Sequence, residues 1–268
     1  MPDDPTPHWQ SLTGPEAEQF ARRDPVLVLP LAAIEQHGPH LPLSTDADIG
    51  RGLLARAVTR LPADFPVRVL PPLPIGASTE HAHAGLAGTL HVESGDLAAV
   101  IARIGAALAG YGIRRLVLSN SHGGNRHAME TAGLQLRREH GLLVVKATYF
   151  SFERAPDVDL PETEWRHGLH GGAVETAMML HLHPDRVRKE HVARFASLGQ
   201  ELEAAGSRIL PEGPAAFAWV AGDLNPRGVA GNAGLATAEM GRRLVEHYGD
   251  TLAAIIRDTG AFPIGRLA

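Results

Sequence analysis

Four short stretches of this chain gather imidazoles and carboxylates around turns. The first is Glu35-Gln36-His37-Gly38-Pro39-His40-Leu41-Pro42-Leu43-Ser44-Thr45-Asp46. If residues 34–37 are extended, Glu35 and His37 point to the same side, because side chains alternate along a strand. Asp46 follows nine residues after His37, at a predicted helix start. Two carboxylates and an imidazole can then surround a divalent cation of the zinc or manganese kind. The plainer alternative is a polar loop in which Asp46 or Thr45 caps a helix.

The second stretch, Ser121-His122-Gly123-Gly124-Asn125, directly follows an apolar run. Its paired glycines allow a sharp turn and leave His122 uncrowded at the carboxyl end of a predicted strand. The third, His167-Gly168-Leu169-His170-Gly171-Gly172-Ala173-Val174-Glu175-Thr176, precedes the apolar run 177–180. It sets His170 before a helix and Glu175 in its first turn, both able to face one cavity; a plain helix-dipole role for Glu175 is the alternative. The fourth runs from Gly76 through Glu80-His81-Ala82-His83 to Gly88-Thr89. A cation with four to six positions would already be filled by the other groups and water, so Glu80 and His81 are assigned to contacts with the ligands or with substrate. No phosphate-cradling Gly-x-x-x-x-Gly-Lys or Gly-x-Gly-x-x-Gly pattern occurs.

These side chains need a scaffold, and the apolar periodicity supplies one. Residues 26–31, 67–70, 116–119 and 143–147 read as buried strands. Between them, 49–61 and 97–108 carry helical apolar stripes, and a C-terminal helix spans about 235–256 with a possible break near Gly249. Strand and helix alternating through short joints predict an α/β fold with a mostly parallel sheet covered on both faces. In such sheets the ligand crevice lies beyond the carboxyl ends of the strands, where the clusters fall. Leu210 to Gly234 reads as a long functional loop. Over 268 residues no boundary or repeat is visible, so one domain, 1–268, is expected.

Composition narrows the chemistry further. The chain has no Cys, which removes disulfides, Cys-ligated zinc and a thiolate nucleophile, and it has 15 His. Of these, His8, His140, His191 and His247 read as surface, as do His181 and His183. A net charge of -5 argues against nucleic acid as a partner. The longest mostly apolar stretch, 97–113, is interrupted and falls short of the roughly 20 residues of a membrane span. The acidic, proline-rich opening, Met1 to Pro5, is unlike an export signal, and a cytoplasmic location is expected.

Taken in order, the motifs resemble the creatininase (creatinine amidohydrolase) family over Pro30 to about Asn232. The resemblance is carried by Glu35-Gln36-His37-Gly38-Pro39-His40-Leu41-Pro42-Leu43 with Asp46, by Glu80-His81 with Gly88-Thr89, by His122-Gly123-Gly124-Asn125 and by Glu175-Thr176. It implies a three-layer α/β/α sandwich, often hexameric, with two divalent ions, commonly zinc or manganese; the ligand types themselves suit iron as well. Transferred residue by residue, Glu35 and His122 hold one metal, His37 the other, and Asp46 bridges them. Creatinine-hydrolysing members carry a further Glu two residues after the ligand His, where this chain has Gly124. Glu175 is the expected replacement, and the subgroup with His-Gly-Gly-Asn is the expected place for this chain.

The implied reaction is hydrolysis of a cyclic amide or formamide by water activated between the metals, with His170 moving the proton and Glu80, His81 and Asn125 near substrate. Within the same resemblance, a peptidase trimming a small peptide precursor is the alternative. From other classes, a non-catalytic metal-binding relative and a mononuclear iron oxygenase stand as competitors. Retention of Glu35, His37, Asp46 and His122 argues against the first, and an α/β scaffold, by analogy of fold, against the second.

Overall fold

Leucines and valines alternate in the first strand, and the alternation divides two apolar layers. Leu27, Leu29 and Leu31 pack on one side of the sheet with Leu116 and Leu118, whereas Val26 and Val28 pack on the other with Val117. A strand buried on both faces carries this near-continuous apolar run.

The computed structural model describes residues 6–82 and 86–267, so the Met1–Pro5 opening and His83 of the fourth cluster lie outside the described residues. In chain order the elements are α1 (Gly14–Ala21), β1 (Val26–Leu31), α2 (Thr45–Thr59), β2 (Val67–Val69), α3 (Thr79–Ala82), α4 (Ser94–Gly110), β3 (Arg115–Asn120), α5 (Arg126–His140), β4 (Leu143–Thr148), α6 (Glu162–His167), α7 (Ala173–Leu182), β5 (Arg194–Phe195), α8 (Leu198–Ala204), α9 (Ala221–Leu224), β6 (Gly231–Asn232) and α10 (Ala238–Ala261). The central sheet has the order β2-β1-β3-β4. All its pairings are parallel, with Val26 opposite Arg115 and Leu31 opposite Asn120. Helices α4 and α5 cover the leucine face, and α2, α7 and α10 build the layer on the valine face. The protein is therefore the expected three-layer α/β/α sandwich. No helix among the described residues is long and apolar enough to cross a membrane.

Two local expectations are corrected. Helix α10 runs unbroken through Gly249, because the glycine serves close packing: a Cβ there would strike the Arg56 side chain on α2, and one at Gly241 would strike the Ala177 carbonyl on α7. The stretch 210–234 is not irregular throughout, since it holds α9 and β6, the latter paired antiparallel with β5. Among the surface histidines, His140, His181 and His191 are exposed, whereas His8, His183 and His247 are half-buried.

Candidate active site

Strands β1 and β3 are neighbours, and their carboxyl ends deliver the first two clusters to one place. Glu35 follows β1, His122 follows β3, and Asp46 enters from the first turn of α2. Ser44 takes the cap position of that helix, so Asp46 does not cap it. Its carboxylate turns inward instead, with Oδ1 at 3.2 Å from His37 Nε2 and Oδ2 at 3.2 Å from His122 Nδ1. Glu35 Oε2 is 3.2 Å from the same His122 Nδ1, and Glu175 Oε2 is 3.8 Å from His37 Nε2. Two ligand-like triads result, Glu35/Asp46/His122 and His37/Asp46/Glu175, and Asp46 belongs to both. A third, Glu35/His37/His170, overlaps them.

Hydrogen bonds set the aim of each imidazole. His37 Nδ1 donates to the Glu35 carbonyl at 3.1 Å, and His122 Nε2 donates to the Ala77 carbonyl at 3.1 Å. Each leaves its other nitrogen facing the carboxylates, the arrangement that orients a metal-ligating histidine. Buried Glu35 Oε2, Asp46 Oδ2 and His37 Nε2 make no properly directed hydrogen bond, their 3.2 Å contacts being ion-pair approaches only. A buried polar atom without a partner is costly, and divalent cations held in the two triads that share Asp46 would satisfy all three. The donor set, carboxylate oxygens and imidazole nitrogens, fits zinc or manganese.

The electrostatics agree. Burial opposes a charge on His37, yet Asp46, Glu175 and Glu35 outweigh it and hold the imidazole up to about 9. Burial likewise opposes a charge on His122, but Glu35 and Asp46 raise it well above the ordinary histidine value. Asp46 is pushed below the usual carboxylate range by His37 and His122, against its own burial. Glu175 goes the other way, raised by burial to about 7. Cationic charge is what this pocket of carboxylates calls for.

The remaining predicted residues surround this cluster. His170 Nε2 donates to the Gln36 carbonyl at 2.7 Å, and its Nδ1 is 3.7 Å from Glu35 Oε1. Burial, with His37 and His81 nearby, keeps its value well below the ordinary one. His81 Nε2 lies 3.5 Å from Glu35 Oε1, while its Nδ1 accepts from Gln36 Nε2 at 3.0 Å. Glu80 Oε1 is 3.6 Å from His122 Nε2. Asn125 is fully buried. Its Oδ1 accepts from Ala77 N at 2.9 Å, and its Nδ2 donates to Ala32 O at 3.1 Å and Asn120 Oδ1 at 3.0 Å. It ties the β1, β3 and 77 loops together.

Three further residues were not singled out from sequence. Tyr149, just after β4, donates its hydroxyl to Glu175 Oε1 at 3.4 Å. Buried Glu164 on α6 accepts from Ala173 N at 2.8 Å and Asn232 N at 2.7 Å. Arg126 lines the cavity wall beside His122 and Gly123. Position after a strand end, as for His122, is the signal that could have marked Tyr149. The cluster opens into a cavity of about 890 Å³ whose walls include Glu35, Asp46, His122 and Glu175 together with Trp165 and Trp219.

Buried carboxylates and imidazoles gathered at the strand ends of a three-layer α/β/α protein are groups that a metal-assisted hydrolytic site uses. Residues 10–256 match the creatininase family, described as creatinine amidohydrolase, and the chain belongs to that family. It is thus a hydrolase acting on carbon–nitrogen bonds. Among its relatives, a mycofactocin precursor peptide peptidase of Mycobacterium ulcerans is 32% identical over 246 residues, covering 88% of this chain and 86% of the relative. A creatinine amidohydrolase of Pseudomonas putida is 34% identical over 195 residues, 68% of this chain and 74% of the relative. Solved creatininases superpose along nearly their whole length. A manganese creatininase is 27% identical with a TM-score of 0.74, covering 96% of this chain and 99% of that chain. A mutant of Zn–Zn type is 28% identical with a TM-score of 0.73 and the same coverage.

Proposed function

We propose that this creatininase-like domain, 1–268, is a metal-dependent amidohydrolase whose substrate is a short peptide or another amide of comparable length. The observation that carries the metal dependence is the pair of triads sharing Asp46, with buried oxygens and a nitrogen that make no directed hydrogen bond. Glu35 and His122 would hold one ion, His37 and Glu175 the other, and Asp46 both. Held by these residues, two divalent cations would supply polarisation of an amide carbonyl and a water of near-neutral pKa.

The chain's own residues then handle protons and position. His170 has committed Nε2–H to the Gln36 carbonyl, which leaves Nδ1 as the basic atom, able to take a proton from water and return it to the leaving nitrogen. Tyr149 holds Glu175 from the side of the cavity. His81 faces Glu35 and is held by Gln36, whose carbonyl also fixes His170.

Cavity size supports an extended substrate. Some 890 Å³ is the volume of a drug-sized ligand site, far more than a cyclic urea-like molecule fills. The peptidase relatives agree with this choice. Hydrolysis of a small cyclic amide or formamide, supported by likeness to the Pseudomonas creatinine amidohydrolase, is the second reading.

A panel of short peptides, formamides, lactams and creatinine, assayed for released amine with zinc- or manganese-loaded protein, separates the two readings. Turnover of peptides is expected, and turnover of creatinine or formamides alone would overturn the peptide reading. Metal analysis in parallel is expected to find about two equivalents in the wild type and none in Asp46→Ala. Full activity without metal would overturn the metal dependence.

A further inference from the structure

Two guanidinium groups line the cavity, those of Arg126 and Arg166, and they are held very differently. Arg166 is committed, with Nη1 at 2.5 Å from Glu203 Oε1 and Nε at 3.1 Å from Glu162 Oε1. Arg126 has a looser hold. Its Nε donates to the Gly123 carbonyl at 3.2 Å, and its Nη2 reaches one carboxylate oxygen, Glu212 Oε1, at 3.4 Å. Both of these side chains are close to half exposed, at 49% and 42%.

The location of Arg126 gives this weak pair its meaning. The guanidinium folds back over Gly123, with Nη2 3.6 Å from where a Cβ on that residue would stand, and Gly123 adjoins His122. An extended chain advances on the order of 3.5 Å per residue. A carboxylate seated on Arg126 would therefore lie one or two residues from an amide held beside His122. Phe150 lies under the same guanidinium, 5.6 Å from ring centroid to Cζ, and offers an apolar wall. Glu212 arrives from the 207–219 excursion, which the Leu210–Ala216 bridge and the hydrogen bond from Trp219 Nε1 to Pro211 O at 3.2 Å hold in shape.

We propose that Arg126 is the anchor for a carboxylate of the substrate, and that Glu212 occupies this anchor until substrate displaces it. The preferred substrates are then amides that bear a carboxylate one or two residues beyond the scissile bond. A planar guanidinium matches a carboxylate through two parallel hydrogen bonds, whereas Glu212 engages it through a single long one. Exchange exposes Glu212 to water at small loss, because the pair is solvent-facing already. This proposal rests on the peptide reading of the reaction but is separable from it.

The test uses metal-loaded protein and matched N-acetyl peptides that end in a free carboxylate or in a carboxamide. For the wild type, kcat/KM is expected to favour the acid by about tenfold to a hundredfold, the size of a lost charge-assisted hydrogen bond. Arg126→Gln should erase this ratio through KM, Arg126→Lys should retain part of it, and Glu212→Gln should lower KM for the acid. Equal turnover of acid and amide by the wild type, or an undiminished ratio in Arg126→Gln, would overturn the anchor and leave the peptide reading standing. Tryptophan fluorescence titrated with the same two peptides reads binding apart from turnover. Acid-selective binding lost in Arg126→Gln, without cleavage of either peptide, would support the anchor and sink the peptide reading; binding blind to the carboxylate would sink the anchor.

Discussion

Gly124 lies against the carbonyl group of Ala77 with no room for a Cβ. An atom there would strike that oxygen and would stand 2.6 Å from His122 Nε2 and 2.7 Å from Glu80 Oε1. The glutamate that the family resemblance places here in creatinine-hydrolysing members therefore has no space in this chain. Glu80 fills part of that volume and faces the far nitrogen of His122, while Glu175 approaches the site from α7.

Adding one methyl group tests this. Gly124→Ala must move the Ala77 loop or tilt His122, and overpacking of this kind costs about 1–3 kcal/mol. Chemical denaturation should show that loss, and metal analysis should show weakened retention of the ion assigned to Glu35 and His122. Wild-type stability with full metal content would show that the loop gives way freely.

Glu164 governs the other half of the site. Its two oxygens accept backbone amides from Ala173, at the start of α7, and from Asn232 in β6. Its Oε1 stands 2.5, 2.7 and 2.9 Å from the Cβ positions of Gly168, Gly172 and Gly231. His170 sits between these segments in an antiparallel bridge to Ala230. Glu164→Gln would turn an N–H toward one of the two amides and strand a buried donor, a loss of about 1–3 kcal/mol. The expected result is a lower kcat with near-normal KM and lower melting temperature, because His170 and Glu175 shift while the cavity wall remains. An unchanged kcat at a temperature where the variant is folded would reduce Glu164 to a packing role.

The parts legible in the sequence are those whose signal is local. The β1 and β3 leucine–valine runs declare a sheet buried on both faces, and each strand end carries its own chemistry, so Glu35 and His122 meet because β1 and β3 pair. Asp46 was expected in the site from its place at a helix start, although the alternative capping role fell to Ser44. Glu164 was invisible for the opposite reason. It belongs to a short charged turn of helix, and its partners at 173 and 232 are joined to it by tertiary structure alone. Gly249 misled because a glycine in a helix pattern signals either a break or a close neighbour, and here α2 is the neighbour.

His40 supplies a pH dependence outside the ligand set. It is fully buried, stacked on Phe195 with centroids 5.4 Å apart, and its Nε2 donates to Thr176 Oγ1 at 3.0 Å. Burial, reinforced by His37, holds its value down to about 4 from 6.5. The unfolded chain takes up a proton below pH 6.5 while the folded chain declines it until about 4, so this residue's share of stability is lost as pH falls across that window. The full loss is about 3 kcal/mol. His40→Gln keeps a donor for Thr176 and cannot titrate. Its unfolding free energy, measured by denaturant from pH 7 to pH 4, should fall less steeply than that of the wild type. Parallel curves would show that His40 takes no part.

His170 distinguishes proton transfer from metal binding. It belongs to one of the ligand-like triads, with Glu35 and His37, and its Nδ1 lies 3.7 Å from Glu35 Oε1, so ligation and proton transfer are the two roles to separate. Burial, with His37 and His81 beside it, holds its value well below the ordinary one and so keeps it neutral, which is the form a base requires. His170→Ala is therefore expected to lower kcat by about 10²–10⁴-fold, the usual contribution of a general acid–base, and to keep both metal equivalents. Small amines such as imidazole, added to the assay, should restore part of the rate by entering the vacated volume. If the variant instead loses one equivalent of metal, and added imidazole restores metal content along with rate, His170 is a ligand and the proton must move through another group.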